Sequence, residues 1–216
     1  MKQVLIVTGG DVDDASAAGF LKTYEVSCVI AVDGGLEAVK RLGLSPDCVV
    51  GDFDTVDRAL LEEYKGRNVH FEAHNPEKDC TDTELALLYA LSLPGVERIA
   101  ILGALGRRFD HALGNLQVMK HALDRGIPCE IVDRYNRVCL LDHGKTFRKG
   151  EVYGTYVSFI PFTEEVRGLT LRGFRYPLEN SVLRQGCSLG ISNELSEDQA
   201  QVSLEEGILI CIESGD

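Results

Sequence analysis

The sequence lacks most of the features that would place it at a glance. No apolar window approaches the roughly 18 residues of a membrane-spanning helix. Met1-Lys2-Gln3-Val4-Leu5-Ile6-Val7 runs directly into a strand pattern, so neither a signal peptide nor a membrane span is expected. Basic residues form no cluster longer than Arg107-Arg108 and the net charge is −12, which argues against a nucleic-acid surface. The seven cysteines include no Cys-x-x-Cys pair. Cys28, Cys48, Cys129, Cys139 and Cys211 sit in apolar runs, as reduced, buried thiols of a cytoplasmic protein would. His70, His74, His121 and His143 share no ligand spacing, so no zinc site is expected. There is no Gly-x-x-x-x-Gly-Lys-Ser/Thr, which excludes a P-loop, and no Gly-x-Gly-x-x-Gly after the first strand, which counts against a dinucleotide site.

What remains is a globular chain. Of its 216 residues 44% are hydrophobic and 26% charged, enough for one large domain or two small ones. Short apolar runs at 4–7, 26–32, 49–50, 69–71, 99–102 and 131–132 read as strands. Helical spacing fills the gaps at 36–42, 55–64 and 110–123, and Thr81-Asp82-Thr83-Glu84 matches a capping box opening a further helix. Alternating strands and helices predict a doubly wound parallel sheet, covered on both faces, over about the first 135 residues. From Val138 onward no useful helical stretch appears. Strand-like runs at 138–141, 153–160, 168–171, 181–183, 201–204 and 208–212 predict a small antiparallel sandwich or barrel. The boundary is expected near Asp142 to Gly150, dividing the chain into 1–141 and 142–216.

The chemistry centres on Val49-Val50-Gly51-Asp52-Phe53-Asp54-Thr55. Alternate side chains of an extended segment share a face, so Asp52 and Asp54 are expected to converge at a strand's C-terminal end, where paired carboxylates suit Mg²⁺. An ordinary turn explains the same residues, with Thr55 or Asp57 capping the next helix. The haloacid-dehalogenase pattern Asp-x-Asp-x-Thr misses by one position, because Val56 stands where its Thr belongs. Three further clusters occupy corresponding places: Asp33-Gly34-Gly35, Lys78-Asp79-Cys80-Thr81-Asp82 and Arg108-Phe109-Asp110-His111. On parallel strands all four share one sheet edge, and crowded carboxylates there need a counter-charge such as Mg²⁺. Gly34-Gly35 and Gly103-x-x-Gly106 would let phosphates approach backbone N–H groups, with Arg108 as a fork. Thr81 and Glu84 are as readily a helix cap, and Asp79 a dipole partner. Ser192-Asn193-Glu194 offers hydroxyl, amide and carboxylate together, suited to a polar heterocycle but equally to a turn.

Taken together, Asp33-Gly34-Gly35, Gly51-Asp52-Phe53-Asp54, Lys78-Asp79-x-Thr81-Asp82-x-Glu84, Arg108-x-Asp110-His111 and Ser192-Asn193-Glu194 resemble the thiamine pyrophosphokinases of bacterial type, in order along nearly the whole chain. The resemblance implies a Rossmann-like catalytic domain, a C-terminal β-sandwich and a homodimer with sites in the inter-subunit cleft. It implies that thiamine and ATP give thiamine diphosphate and AMP, with Mg²⁺. It places Asp52, Asp54 and Asp82 on the metal. Asp33, Gly34, Asp79, Thr81, Arg108 and Asp110 fall about the nucleotide or the transferring group, and Ser192 and Asn193 on thiamine. Asp54 or Asp33 would take the hydroxyl proton. Two departures stand out. Arg107 occupies a place where relatives often carry glycine, and the chain has no tryptophan, so an aromatic surface under thiamine falls to Phe174 or Tyr176. A nucleotide- or thiamine-sensing module and a metal-dependent phosphohydrolase are the competing readings.

Overall fold

In a computed structural model, the structure describes residues 2–53, 56–67, 69–73, 80–106 and 108–216. The chain divides into two units, Met1–Arg134 and Tyr135–Asp216.

Within the first unit the apolar runs become β1 (Lys2–Val7), β2 (Cys28–Val32), β3 (Cys48–Gly51), β4 (His70–Ala73), β5 (Val96–Leu102) and β6 (Cys129–Val132). They pair in the order β4-β3-β2-β1-β5-β6, and every pairing is parallel. Ile6 of β1 lies level with Ile30 of β2 and Ile101 of β5. Val4 to Val7 have no exposed surface at all, as a central strand covered on both faces requires. The helices are α1 (Asp14–Leu21), α2 (Gly35–Arg41), α3 (Arg58–Lys65), α4 (Asp82–Ser92), α5 (Phe109–Val118) and α6 (Lys120–Leu123). Strand order steps away from β1 through β4, then α4 returns across β3, β2 and β1 to β5 on the other side. Fully buried Ala86, Leu87 and Ala90 seat that return.

Several helix bounds differ from expectation for local reasons. The helix expected over 55–64 begins at Arg58, because the Asp57 carboxylate accepts the Leu60 N–H (3.0 Å) and caps it there. The helix expected over 110–123 is broken at buried Met119, where the Ala122 N–H bonds the Met119 carbonyl in the tighter i→i−3 pattern. Helix α1 was not expected. Its buried side chains are only Ala17 and Phe20, too few for a legible stripe, and it is held by Asp13 accepting the Ser16 N–H (2.9 Å).

The second unit contains β7 (Asn136–Leu141), β8 (Lys145–Arg148), β9 (Tyr156–Pro161), β10 (Glu165–Arg172), β11 (Leu178–Arg184), β12 (Gln199–Ser203) and β13 (Leu209–Ser214). β13 lies between β7 and β9, antiparallel to both, and a separate antiparallel sheet runs β11-β10-β12-β8. Both contribute to one apolar core that includes Phe147, Val157, Phe159, Leu169, Leu171, Val202 and Leu209. β8 was not expected, since Phe147 alone points inward and one residue makes no alternation. The compact units part before β7 rather than after residue 141, and β7 pairs with β13 along its whole length.

Candidate active site

In an open parallel sheet, ligands sit outside the carboxyl ends of the strands, at the point where strand order reverses. Here that point lies between β1 and β5. The loops leaving the two strands, Thr8-Gly9-Gly10 and Gly103-Ala104-Leu105-Gly106, touch through their backbones. A Cβ on Gly10 would stand 2.0 Å from the Gly103 carbonyl oxygen, and one on Gly106 would stand 3.2 Å from the Gly10 Cα. Buried Thr8 ties the pair, donating its N–H (2.9 Å) and hydroxyl (3.2 Å) to the Leu102 carbonyl. From α5, buried Asn115 donates its amide to the Ala104 carbonyl (2.9 Å) and fixes the second loop from behind. As parts of a site, Thr8-Gly9-Gly10 and Asn115 are not legible in the sequence, since a strand-order reversal is visible only once the strands are paired.

The neighbouring pair of strand ends carries the acids. Asp33, at the end of β2, has a positive φ of 45°, donates its N–H to the Val50 carbonyl (3.1 Å) and accepts from the Leu36 N–H with its own carbonyl (3.1 Å). It therefore ends the strand and starts α2 at once. Its carboxylate lies over Gly51: a Cβ there would be 1.7 Å from Asp33 Oδ1. Only glycine fits beneath it, and Asp52 follows directly. The shared-face argument for Asp52 and Asp54 does not hold as posed. The backbone leaves the extended conformation at Gly51 (φ 147°) and Phe53 (φ 63°), and Asp54 lies outside the described residues. Phe53 holds that unusual conformation while packing edge-on against Phe71, with centroids 5.9 Å apart.

Asp82 opens α4, whose N-terminus is capped by Thr81 Oγ1 accepting the Glu84 N–H (3.2 Å). The Glu84 carboxylate turns to His121 Nε2 (2.9 Å) and so ties α4 to α6. Asp79, Lys78 and Arg107 lie outside the described residues. Arg108 is the residue before α5, and its fork is engaged by Asp110, with Nε to Oδ1 at 3.2 Å and Nη2 to Oδ2 at 2.6 Å. The guanidinium holds the Asp110 carboxyl well below its usual range, to about 2, and the carboxylate in turn raises the Arg108 pKa. Both side chains are exposed, and Asp110 fixes the plane of the guanidinium at the start of α5. Among the described residues, no group of three or more His, Cys, Asp or Glu side chains could hold a metal by itself.

In the second unit, the segment around Ser192 is strapped to the edge of β9. The Phe159 N–H bonds the Gly190 carbonyl (2.8 Å), Val157 and Asn193 exchange both backbone bonds (2.8 and 3.1 Å), and the Ser192 N–H reaches Ser158 Oγ (2.9 Å). Ser192 is thereby exposed at φ 57°. Asn193, expected as a direct ligand, is only 3% exposed. Its amide is spent on backbone: Nδ2 donates to the Tyr176 carbonyl (2.8 Å), while Oδ1 accepts the N–H of Tyr176 (3.0 Å) and of Glu194 (3.0 Å). Phe174, one of two aromatics expected beneath a ligand, is instead a core residue in T-shaped contact with Phe147 and Phe159. Tyr176 is 55% exposed, with the Arg175 guanidinium 5.5 Å from its ring centroid and Arg175 bound to Glu194 (2.9 Å).

Carboxylate-bearing loops along the C-terminal edge of a parallel sheet, followed by an all-β unit with a pinned polar loop, define a two-unit protein of the ligand-binding α/β class. Two family models match: "Thiamin pyrophosphokinase, catalytic domain" over residues 22–131, and "Thiamin pyrophosphokinase, vitamin B1 binding domain" over 145–209. The chain belongs to the thiamin pyrophosphokinase family. It is 35% identical to the thiamine pyrophosphokinase of Bacillus subtilis (strain 168), with 100% of both chains covered. It is 26% identical to thiamin pyrophosphokinase 1 of Caenorhabditis elegans, over 85% of this chain and 78% of that one. Among solved structures, the Bacillus subtilis thiamine pyrophosphokinase superposes with a TM-score of 0.88 at 34% identity, covering 100% of each chain. The Geobacillus thermodenitrificans thiamin pyrophosphokinase gives 0.84 at 34%, covering 99% and 98%.

Proposed function

We propose that this chain transfers the diphosphoryl group of ATP to the hydroxyl of thiamine, giving thiamine diphosphate and AMP in a Mg²⁺-dependent reaction. The observation that carries the site is the seating of Asp33 on Gly51, which brings the acidic ends of β2 and β3 together beside the glycine-lined crevice of β1 and β5. The first unit is a Rossmann-like domain for nucleotide and metal, and the second, which takes in β7, is a β-sandwich that holds thiamine. The enzyme works in the cytoplasm as a homodimer with its sites in the cleft between subunits, as the resemblance of its motifs implies.

The donor set suits the ion. Mg²⁺ carried on nucleotide phosphates takes one or two protein carboxylates and fills its other positions with phosphate oxygens and water. Asp52, Asp54 and Asp82 are oxygen donors of that kind, and the ion would supply Lewis-acid neutralisation of charge on the phosphates. Asp79 and Gly34 serve the nucleotide, and Thr81 sets the direction of Asp82 by capping α4. The glycine loops admit phosphate oxygens to backbone N–H groups. Arg108 enters with its plane set by Asp110 and neutralises oxygens that gain charge in the transition state. The thiamine hydroxyl oxygen attacks the β-phosphorus in line. Its new bond forms as the bond from that phosphorus to the α–β bridging oxygen breaks, and AMP leaves with that oxygen. Asp54 or Asp33 accepts the hydroxyl proton. Ser192 and the Tyr176 ring meet thiamine directly, and Asn193 positions both from the protein interior.

An end-point assay with thiamine, ATP and Mg²⁺, read by mass spectrometry, tests this reading. Thiamine diphosphate in step with AMP, requiring all three components, is the expected result. ADP or phosphate formed without thiamine would make the chain a hydrolase, and tight ligand binding without turnover would make it a sensor. Asp54→Asn is expected to abolish turnover with the thermal transition unchanged; wild-type activity in that variant removes Asp54 from the chemistry.

A further inference from the structure

The reaction leaves unused a pair of thiols in the second unit. Cys139 of β7 and Cys211 of β13 stand directly opposite in antiparallel register, so their side chains share one face of the sheet. The Gly215 N–H donates to the Tyr135 carbonyl (3.0 Å) one pairing beyond the ends of these strands. Counting back by twos makes the Cys139–Cys211 pair one of the hydrogen-bonded type, with Cα atoms about 5.5 Å apart. That lies inside the range of about 4.4–6.8 Å that a disulfide spans. The two thiols are not equivalent. Cys139 is partly exposed, whereas Cys211 is wholly buried, and the neighbouring Cys139 and burial push its thiol up and keep it protonated. The Lys145 ammonium lies 4.0 Å from Cys139 Sγ and is fixed there by Glu213 Oε1 at 2.9 Å. A cation at that position favours the Cys139 thiolate, the attacking form of the group.

We infer that Cys139 and Cys211 form a redox-active dithiol, with Cys139 as the attacking thiol and Cys211 as the resolving one, that closes to a cross-strand disulfide by exchange with small disulfides. The Cys139 thiolate attacks one sulfur of the small disulfide, forming a mixed disulfide and releasing one small thiolate. Cys211 passes its proton to that thiolate and attacks Cys139 Sγ, and the second small thiolate leaves. The two cysteines lose two electrons and two protons, and the small disulfide becomes two thiols. Cβ atoms across a hydrogen-bonded pair sit farther apart than a relaxed disulfide prefers, so the closed bond is strained and readily reopened by thiols.

The test uses the full chain carrying Cys187→Ser, which removes the exposed cysteine. The folded protein is equilibrated with graded mixtures of reduced and oxidised glutathione, quenched in acid, unfolded, alkylated and digested for mass spectrometry. The expected product is a peptide pair joined through Cys139 and Cys211, two hydrogens lighter than the dithiol, and lost again in excess reduced glutathione. A further Cys211→Ser substitution stops the reaction at glutathione on Cys139. If both cysteines are alkylated after the most oxidising mixture, or if glutathione on Cys139 persists while Cys211 is present, the inference is overturned. The cross-link needs no substitution at the pair itself, so a misfolded Cys211→Ser chain leaves the test intact.

Discussion

Gly51→Ala probes the contact on which the acidic edge depends. The added methyl carbon would lie 1.7 Å from Asp33 Oδ1 and 2.6 Å from its Cγ, at a residue whose φ is 147°. Two costs separate. Holding a non-glycine residue at that φ costs about 1–3 kcal/mol, and forcing a side chain into occupied space costs a similar ~1–3 kcal/mol. A combined loss of about 2–6 kcal/mol, at ~2–4 °C per kcal/mol for a chain of this size, lowers Tm by roughly 4–24 °C. Because the methyl displaces the Asp33 carboxylate itself, kcat/KM is expected to fall by about 100-fold or more, the usual penalty for a catalytic group misplaced by about 1 Å.

The second cost can be isolated. Asp33→Gly removes the carboxylate and tolerates the φ of 45° at that position. On that background Gly51→Ala should lose only the backbone penalty, leaving a coupling of about 1–3 kcal/mol between the two positions. Thermal melts and steady-state kinetics of the four proteins give the answer. The reasoning fails if Gly51→Ala keeps Tm within about 1 °C and kcat/KM within about twofold, or if the two changes are simply additive.

Asn193→Ala strips partners from three backbone groups and should cost about 2–4 kcal/mol in a thermal or urea melt, with a raised KM for thiamine. A variant with unchanged stability would show that the amide does not hold Tyr176. Phe174→Ala is expected to lose ~3–5 kcal/mol with KM for thiamine unchanged, while Tyr176→Ala keeps its stability and raises that KM. The opposite pattern would return Phe174 to the ligand. Because Arg108 holds Asp110 down to about 2, its contribution is complete above the unfolded carboxyl value near ~3.9 and disappears only as pH falls through about 2. Carboxyl NMR should find Asp110 ionised and unchanging from pH 5 to 9 (roughly the span of the assay); a midpoint near ~4 would mean the pair does not form in solution.

The sequence disclosed the chemistry more fully than the geometry. Periodicity found β1 to β6 because each is a short apolar run between polar loops, and a central parallel strand reads that way on its own. α1 and β8 gave no pattern, since two buried side chains in one and one in the other carry the packing. Asp33, Asp52, Asp82 and Arg108 could be picked out because grouped charges at strand ends are chemically conspicuous. Asn193 was conspicuous as a polar residue, but its partners were not: an amide that bonds a backbone 17 positions away looks identical, in sequence, to one that meets a ligand. Phe174 and Tyr176 differ by two positions and by one reversal of direction, which a hydrophobicity pattern interrupted by Gly173 (φ 73°) cannot resolve.

The residues that set the site are in this sense the least expressive ones. A carboxylate can be replaced on paper by another acid, but the spacing of the loops is fixed by Gly10, Gly51 and Gly106, where one extra carbon would meet backbone or the Asp33 side chain. Gly51 decides how close the ends of β2 and β3 approach, and Gly10 with Gly106 decides the same for β1 and β5. Two contacts of this kind, one between the ends of β2 and β3 and one between those of β1 and β5, fix how near the strand-end loops come. On the proposed Mg²⁺-dependent reading, glycine at these points would bear on the electrostatics as well, because it sets how near the Asp33 carboxylate lies to the end of β3.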